Sequence, residues 1–498
     1  MKIIKQNKLA IGIILLLSAA SVTSEIYADV QEVETVTIIG TKADIKELPG
    51  SGTVVSNEEL QKAMDTDIHK ILSAVPGVYF RTEDGYGLRP NISIRGTSID
   101  RSAKITLMED GILVAPAPYT SSSAYYFPTT GRINSVEVLK GPSSISQGPS
   151  TIGGAINMIS TPIPELASGK LTQEFGQNGM LRTHAYYGGV SGNFGGLVEI
   201  HEHQSDGFDS IANVGGDTGF DKSDLMIKAR YESGDHSVTF KMVDIDEVSN
   251  QSYVGLSGQS FNANPRVRYG MTQYDEMNND GDQKSLTYLG DFEKFRVIAS
   301  TWSNDYHRDW FKVDKANNNS DHGVGNGINT VISAANAGNE NAQAILDGTL
   351  AVQVKLKHNN RFYTNEGYQF KVSTDVKNHN ITIGYRDMED SESRYQNYEC
   401  FDQSANGTNS ALYACSSGYT GSNNRLRVSK ATSFYIEDKI TLGALALTIG
   451  HRSEDYDQVE NRWNDGVPTR TMLASGYPKT KDGDHSTTGF GATYDLNE

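Results

Sequence analysis

Val136-Glu137-Val138-Leu139-Lys140-Gly141-Pro142, with Gly153-Gly154-Ala155-Ile156-Asn157 shortly after it, is the stretch that decides the fold. Each half reads as a short β-strand bounded by glycine: Lys140-Gly141-Pro142 stops the first, and Gly153-Gly154 starts the second. The same theme runs upstream. Asn91-Ile92-Ser93-Ile94-Arg95-Gly96 is a strand with a glycine end, and Ile105-Thr106-Leu107-Met108 runs into Glu109-Asp110-Gly111, a hairpin signal. Further upstream, Val54-Val55 leads into Ser56-Asn57-Glu58-Glu59, a capping box that starts a helix ending near Met64. A second helix starts near Asp67, places Ile68, Ile71, Leu72 and Val75 on one face, and stops at Pro76-Gly77. Residues 49–164 therefore read as a compact sheet with two helices and no catalytic constellation.

Downstream of about Lys170 the pattern changes to period two. Val238-Thr239-Phe240-Lys241-Met242, Tyr368-Gln369-Phe370-Lys371-Val372, Ile381-Thr382-Ile383-Gly384-Tyr385-Arg386 and Leu445-Ala446-Leu447-Thr448-Ile449-Gly450 alternate apolar with polar or small residues. One face suits lipid and the other water, the signature of a transmembrane antiparallel β-barrel, against the alternative of a soluble β-sandwich. Tight turns are expected at Glu232 to Asp235, Glu293-Lys294, Val376 to Asn378 and Leu442-Gly443. Long polar stretches at about 204–222, 247–282, 305–360, 391–427 and 457–486 read as loops at the opposite end. About 12 strands fit before Glu498.

The N-terminus sets the compartment. Lys2, Lys5 and Lys8 form a basic region, Leu9 to Ala20 is apolar and uncharged, and Ala28 precedes Asp29 at a cleavage point, so residues 1–28 read as a secretory signal peptide. Its roughly 12 apolar residues fall short of the roughly 20 that span a bilayer. Cys400 and Cys415, the only cysteines, lie in a Gly/Ser/Asn-rich stretch and read as a loop disulfide in an oxidising compartment. A formal charge of -17 argues against nucleic acid as a partner.

Taken in order, Val75-Pro76-Gly77-Val78, Ile94-Arg95-Gly96, Asp110-Gly111, Val136-Glu137-Val138 with Lys140-Gly141-Pro142, and Gly153-Gly154-Ala155-Ile156-Asn157 resemble the plug domain of TonB-dependent outer-membrane receptors. Gly87-Leu88-Arg89-Pro90-Asn91, Ala117-Pro118-Tyr119 and Ser160-Thr161-Pro162-Ile163-Pro164 look most like receptors for ferric citrate. The resemblance implies a small N-terminal α+β plug domain (49–164) and a partial transmembrane antiparallel β-barrel (165–498). It also implies active import of a ferric chelate, driven by TonB and its inner-membrane energising complex, in a protein embedded in outer-membrane lipid. Glu34-Thr35-Val36-Thr37-Ile38, within the segment 29–48, resembles the TonB box, a strand that a periplasmic partner pairs with by β-augmentation. The space before it leaves no room for the extra signalling domain of some ferric citrate receptors. The family barrel has about 22 strands, so the chain reads as truncated, with Asp495-Leu496-Asn497-Glu498 in place of a terminal aromatic strand.

Within that resemblance, ligand contact is expected from the plug apex and from inward or loop residues: Ser98, Asp100, Arg101, Tyr119, Ser150, Arg266, Arg268, Arg308 and Arg386. Guanidinium groups suit an anionic chelate because they pair bidentately with carboxylate. Arg95 and Lys140 are expected to tie the plug to acidic groups of the wall such as Glu437 or Asp438. His201 and His203 flank Glu202 on one strand and read as polar residues of the lumen, not as a metal site. Asn278 to Asp282 reads as a turn that lacks the downstream glutamate of a calcium loop. No cofactor and no nucleophile–base–acid set is expected. A barrel-anchored adhesin and the uptake of a non-iron nutrient are the alternatives.

Overall fold

The computed structural model describes residues 36–39, 45, 48, 50–413, 415, 419–464 and 470–496. The expected signal peptide, with Glu34 and Thr35, lies outside these.

The capping box at Ser56 and Glu59 starts helix α1 (Asn57–Ala63), and the Asp67 carboxylate caps α2 (Ile68–Leu72). These helices flank strands β1 (Ser51–Val55), β2 (Val78–Phe80), β3 (Ile92–Ile94), β4 (Thr106–Glu109), β5 (Ile112–Leu113), β6 (Ile133–Lys140) and β7 (Ala155–Ser160). Five of the strands form one sheet in the order β1-β6-β7-β4-β5, with β4 and β7 parallel, and β2 pairs with β3. Asp110 and Gly111 take φ of 50° and 75° in the β4–β5 turn, which explains the Asp-Gly pair there. Ile68, Ile71, Leu72 and Val75 pack on Ile92, Ile94, Val136, Val138 and Ile156, and that core runs on into Leu197, Met226, Val243, Ile245, Tyr306 and Tyr363 of the second unit.

The second unit is one large antiparallel sheet. Its strands are β8 (Ser168–Phe175), β9 (Leu181–Ser191), β10 (Phe194–Ser205), β12 (Phe220–Ser233), β13 (His236–Ser249), β15 (Glu276–Phe292), β16 (Phe295–Lys315), β17 (Val352–Val376), β18 (His379–Gln403), β20 (Gly421–Leu442), β21 (Leu445–Trp463) and β22 (Lys479–Tyr494), paired in that order. Short β11 (Ser210–Ile211) and β14 (Val267–Arg268) pair in parallel in the loops, and β19 (Asn409–Tyr413) adds to β18. Among the described residues β8 and β22 are the two edges. The outward face carries an exposed apolar band that includes Phe240, Leu286, Phe370, Ile383, Phe434 and Ile449. The inward face holds the first unit.

Two readings of the sequence need correction. Asn278 to Asp282 is not a turn but the first part of β15, paired on both sides with β13 and β16. The polar stretches read as whole loops are strand at their ends, most extensively in 391–427: β16 continues to Lys315, β17 begins at Val352 and β18 continues to Gln403. Beyond the apolar band both faces of a strand are polar, so apolar alternation disappears while the ladder continues. The true long connections fold on themselves. Helices α3 (Gly258–Ala263), α4 (Ile328–Asn336) and α5 (Glu340–Leu346) cap β15 to β18 over a separate apolar core that includes Met271, Val331, Ile345 and Val354. Three loops interlock there, since a side chain on Gly270 or Gly348 would run into the backbone of Gly407.

The plug is locked to the wall by a buried ionic network. Arg132 binds both oxygens of Glu109 and, through Nε, Asp224 of β12 at 3.0 Å. Lys241 of β13 donates to Glu109 at 3.1 Å and to Asp110 at 2.6 Å. Asp390 of β18 accepts the backbone N–H groups of Tyr119 and Thr120, and Gln369 of β17 donates to the Gly111 carbonyl. Arg95 and Lys140 play no such part within the described residues: Lys140 Nζ donates to the Pro76 carbonyl, and the Arg95 side chain, left exposed, points at Gly141. Their nearest neighbours are thus plug backbone, and the anchoring falls instead to the β4–β5 turn and to Arg132.

Burial pushes the Glu109 and Asp110 carboxyls up, but the charges of Arg132 and Lys241 on Glu109, and of Lys241 and Lys228 on Asp110, outweigh it and hold both below the usual carboxylate range. A lowered folded-state value contributes stability that is present above the unfolded value of about 4 and lost as pH falls through the folded one. Plug protection against amide exchange should therefore be level from neutral pH to about 5 and decline below about 4. Arg132→Met, which strands buried Asp224 and leaves Glu109 with Lys241, should lower it at neutral pH by about 3–5 kcal/mol.

Candidate functional site

Five consecutive wall strands place an arginine at one register level. Arg308 on β16 faces Arg361 on β17, Arg361 faces Arg394 on β18, Arg394 faces Arg425 on β20, and Arg425 faces Arg462 on β21. Residues directly opposed in an antiparallel ladder share a face. Here it is the inner one, because Tyr306, Tyr363 and Glu392, of the same parity on their strands, are buried. The row lies toward the long-loop end, far from the tight turns that join these strands. Like charges opposed across strands are destabilising, so such a row needs counter-charge. Glu392 supplies part of it, ion-paired with Arg361 at 2.6 Å and accepting from Arg425 at 2.8 Å.

The plug apex completes a basic, aromatic hollow. Arg308 is fully buried with its guanidinium 3.7 Å above the Tyr125 ring centroid, a cation–π arrangement. Arg101 lies over Tyr125 and Trp310, and Arg89 lies over Trp310, at 5.2–5.4 Å. Lys312 lies 3.9 Å from the Trp310 centroid and 3.6 Å from that of Tyr253. Glu83 and Asp84 take one nitrogen each from Arg101 and Arg89, at 2.5 and 3.7 Å. Burial pushes the Tyr125 hydroxyl up, but Arg308, Arg101 and Arg361 outweigh it and hold it below the usual phenol value, which measures how positive the hollow is. All three guanidinium nitrogens of Arg308, Nη1 of Arg101, Nη2 of Arg89, and Nε of Arg394 and Arg425 are buried without a hydrogen-bond partner among the described residues. Buried donors of this kind are costly to leave unmet, and together they form an array that an anion with several oxygen atoms would satisfy.

At the other end of the plug, Ile38 and Ile39 donate their backbone N–H groups to the two oxygens of Glu137, each at 2.8 Å, and Asn157 donates to the Val36 carbonyl at 3.3 Å. Glu137 and Asn157 are themselves buried in β6 and β7 and hydrogen-bonded to each other at 2.8 Å. The segment 36–39 is thus latched on the plug sheet by charge-assisted bonds.

Of the residues expected from sequence, Arg101 and Arg308 meet in the hollow. Arg268 instead clamps its own loop, donating to Thr272 and to the Asn250 carbonyl, and Arg266 is exposed on that loop. Ser98 and Asp100 are exposed on the plug. Tyr119 is pinned to Asp390 and donates its hydroxyl to Glu454 at 3.2 Å. Ser150, half-buried, follows the plug loop that Arg386 holds through the Gln147 and Gly148 carbonyls. His201 is buried against Gly131, and no cluster of three metal-ligating side chains occurs among the described residues. Cys400 and Cys415 are disulfide-bonded, with Cα atoms 5.8 Å apart. Sequence reading missed Arg89, Arg361, Arg394, Arg425, Arg462 and Lys312. Spacing along the chain carries no trace of the row, which exists only once strand register is known.

A small α+β plug seated against the inner face of an antiparallel barrel wall defines the class. Residues 44–155 match the family model of the TonB-dependent receptor plug domain. Curated relatives include the vitamin B12 transporter BtuB of Photobacterium profundum, 22% identical over 358 residues that cover 67% of this chain and 57% of that protein. Another is the vitamin B12 transporter BtuB of Vibrio vulnificus, 29% identical over 162 residues, 32% of this chain and 25% of that protein. Among solved structures, the ferric citrate transporter FecA in its unliganded form superposes with a TM-score of 0.69 at 18% identity, covering 92% of this chain and 62% of that one. The ferric yersiniabactin uptake receptor FyuA from Yersinia pestis gives 0.66 at 16% identity, covering 90% and 63%. Residues 44–155 thus carry a plug domain of the TonB-dependent receptor type and the fold is that of these receptors, while the chain spans less than two thirds of the length of each of these relatives.

The latch yields a direct test. Replacing Glu137 by Ala removes the acceptor of two backbone N–H groups, each such bond to a charged group contributing about 1.5–3 kcal/mol. A nitroxide at Thr37 should change from an immobilised to a mobile spectrum in that variant, and an unchanged spectrum would show that Glu137 does not hold the segment.

Proposed function

We propose that the chain serves TonB-dependent import of an anionic ferric chelate across the outer membrane, with ferric citrate the preferred substrate. The observation that carries the reading is the inward arginine row with its unmet guanidinium nitrogens beneath the long loops. A citrate complex presents carboxylates whose paired oxygens match guanidinium forks. The plug, 49–164, then closes the wall, 165–498, and the outward apolar band faces lipid. The signal peptide, 1–28, directs export. Residues 34–38 act as the TonB box: freed from Glu137, they offer an extended strand for the periplasmic partner to pair with and pull. The work is binding and displacement, with no covalent step. A second reading, uptake of vitamin B12, has in its favour the names of the curated relatives.

Radiolabelled ferric citrate binding to cells expressing the chain tests the reading. Arg308→Gln with Arg394→Gln should weaken binding about tenfold to a hundredfold, as loss of one or two charge-assisted bonds implies. Added salt should weaken binding by the unsubstituted chain. Equal affinity in the double variant would remove the anion reading, and preferential binding of vitamin B12 would support the second. Deleting residues 34–38 should abolish uptake and leave binding intact, whereas persisting uptake would rule out the energised mechanism.

A further inference from the structure

Halfway down the same wall, two more inward arginines hold the plug by its backbone. Arg386 on β18 donates Nη1 to the Gln147 carbonyl at 3.2 Å and to the Gly148 carbonyl, and Nε to Gln369 at 3.0 Å. Arg452 on β21 donates Nη1 to the Ser146 carbonyl at 3.0 Å, Nη2 to Ser433 at 2.7 Å, and two nitrogens to Glu454 at 2.6–2.9 Å. Both are buried, and Gly148 lies so close that a side chain there would strike Arg452. Arg386 therefore rests on neutral acceptors, two of them carbonyls of one plug loop and weaker than a carboxylate, whereas Arg452 divides its bonds between that loop, Ser433 and the Glu454 carboxylate.

The loop closes a cleft. Ser146, Gln147, Arg386 and Arg452 border a small cavity of about 60 Å³ that also touches Val36, Ile38 and, nearer the tight turns, Lys371. Eight residues of β18 separate Arg394 in the upper row from Arg386, roughly 26 Å of strand at about 3.3 Å per residue. Lys371 pairs with Gly384, two residues below Arg386. Cations thus stand at three heights on one side of the lumen. Of the inward carboxylates between the upper two, Glu392 is paired with Arg361 and Arg425, and Asp390 is covered by the backbone of Tyr119 and Thr120, which belong to a different plug loop.

The loop is also joined to the latch. Glu137, which holds Ile38 and Ile39, sits on β6, and β6 runs through Gly141 into the 3-10 turn Pro142–Gln147. A pull on residues 36–39 is delivered to the strand whose C-terminal end carries the Ser146–Gly148 carbonyls.

We infer that the loop 146–148 is the stopper of an exit cleft and that Arg386 and Arg452, once it withdraws, become a second binding station for the anionic substrate on its way to the periplasm. The upper row sets affinity, and the lower pair sets the rate of passage. The Tyr119–Thr120 loop stays in place and keeps Asp390 from repelling the substrate. This inference rests on the anionic-chelate reading above.

Two roles for the pair predict opposite signs. A clamp alone, when removed, frees the stopper and leaves uptake equal or faster, whereas loss of a station slows it. The experiment compares radiolabelled ferric citrate binding and uptake in cells expressing the unsubstituted chain, Arg386→Gln with Arg452→Gln, and Arg386→Lys with Arg452→Lys, at matched membrane levels. The Gln pair should bind within twofold of the unsubstituted chain and take up substrate at least tenfold more slowly. The Lys pair, which keeps the charge, should recover most of the rate. Undiminished uptake in the Gln pair, or binding and uptake falling together, overturns the inference alone. No binding by the unsubstituted chain overturns the proposed substrate and the inference with it.

Discussion

Residues that face one another across an antiparallel ladder lie on the same side of the sheet, and in this molecule that constraint decides what the lumen is made of. With about two residues per repeat, a single register choice sends every second side chain of twelve strands inward. It gathers Arg308, Arg361, Arg394, Arg425 and Arg462 at one height, brings Asp224 to Arg132 and Lys241 to the β4–β5 turn, and sets Arg386 and Arg452 level with the 146–148 loop. A slip of one residue in any strand would turn its share of this chemistry toward the apolar outer band.

The plug is held by means that suit an element meant to be both seated and moved. Its apolar core is continuous with the wall through Leu197, Met226 and Val243, which fixes its position without direction. Direction comes from a few buried polar bonds: Arg132 with Glu109 and Asp224, Lys241 with Asp110, and Asp390 with two backbone amides. Bonds of this type are costly when one partner is removed, yet their net contribution when intact is modest, because both partners give up water to form them. A locally applied force can therefore break them in sequence. Residues 36–39 are held by Glu137, the plug loop 146–148 by the two lower arginines, and the β4–β5 turn, against which Val36 packs, by the Arg132 and Lys241 network.

The outer loops add rigidity where sequence composition suggests slack. A cap with its own apolar core, three glycines in backbone contact and a disulfide between Cys400 and Cys415 behaves as part of the scaffold, and the hollow lined by Arg308, Arg101 and Trp310 lies under a shaped cover. The three unmet nitrogens of Arg308 are tolerable in that setting because Tyr125 offers its π-face below.

Much of this architecture is determined by the sequence alone. The Ser56–Glu59 box, the Asp110-Gly111 turn and the glycine-bounded strands 136–140 and 155–157 depend on contacts within a few residues, so local pattern suffices to place them. The tight turns and the alternation of β13, β17, β18 and β21 are legible for the same reason: a strand between lipid and water announces its period. Only the tertiary structure decided the site. Arg101 and Arg308 could be proposed from residue type, but the row that gives Arg308 its meaning joins positions far apart in the chain, through pairings that no one-dimensional spacing encodes. Arg95 and Lys140 were misplaced as anchors, and Asn278 to Asp282 as a turn, for one shared reason: charge and polarity are local facts, whereas the partner that gives them a role is chosen by register and by the curvature of the wall around the plug.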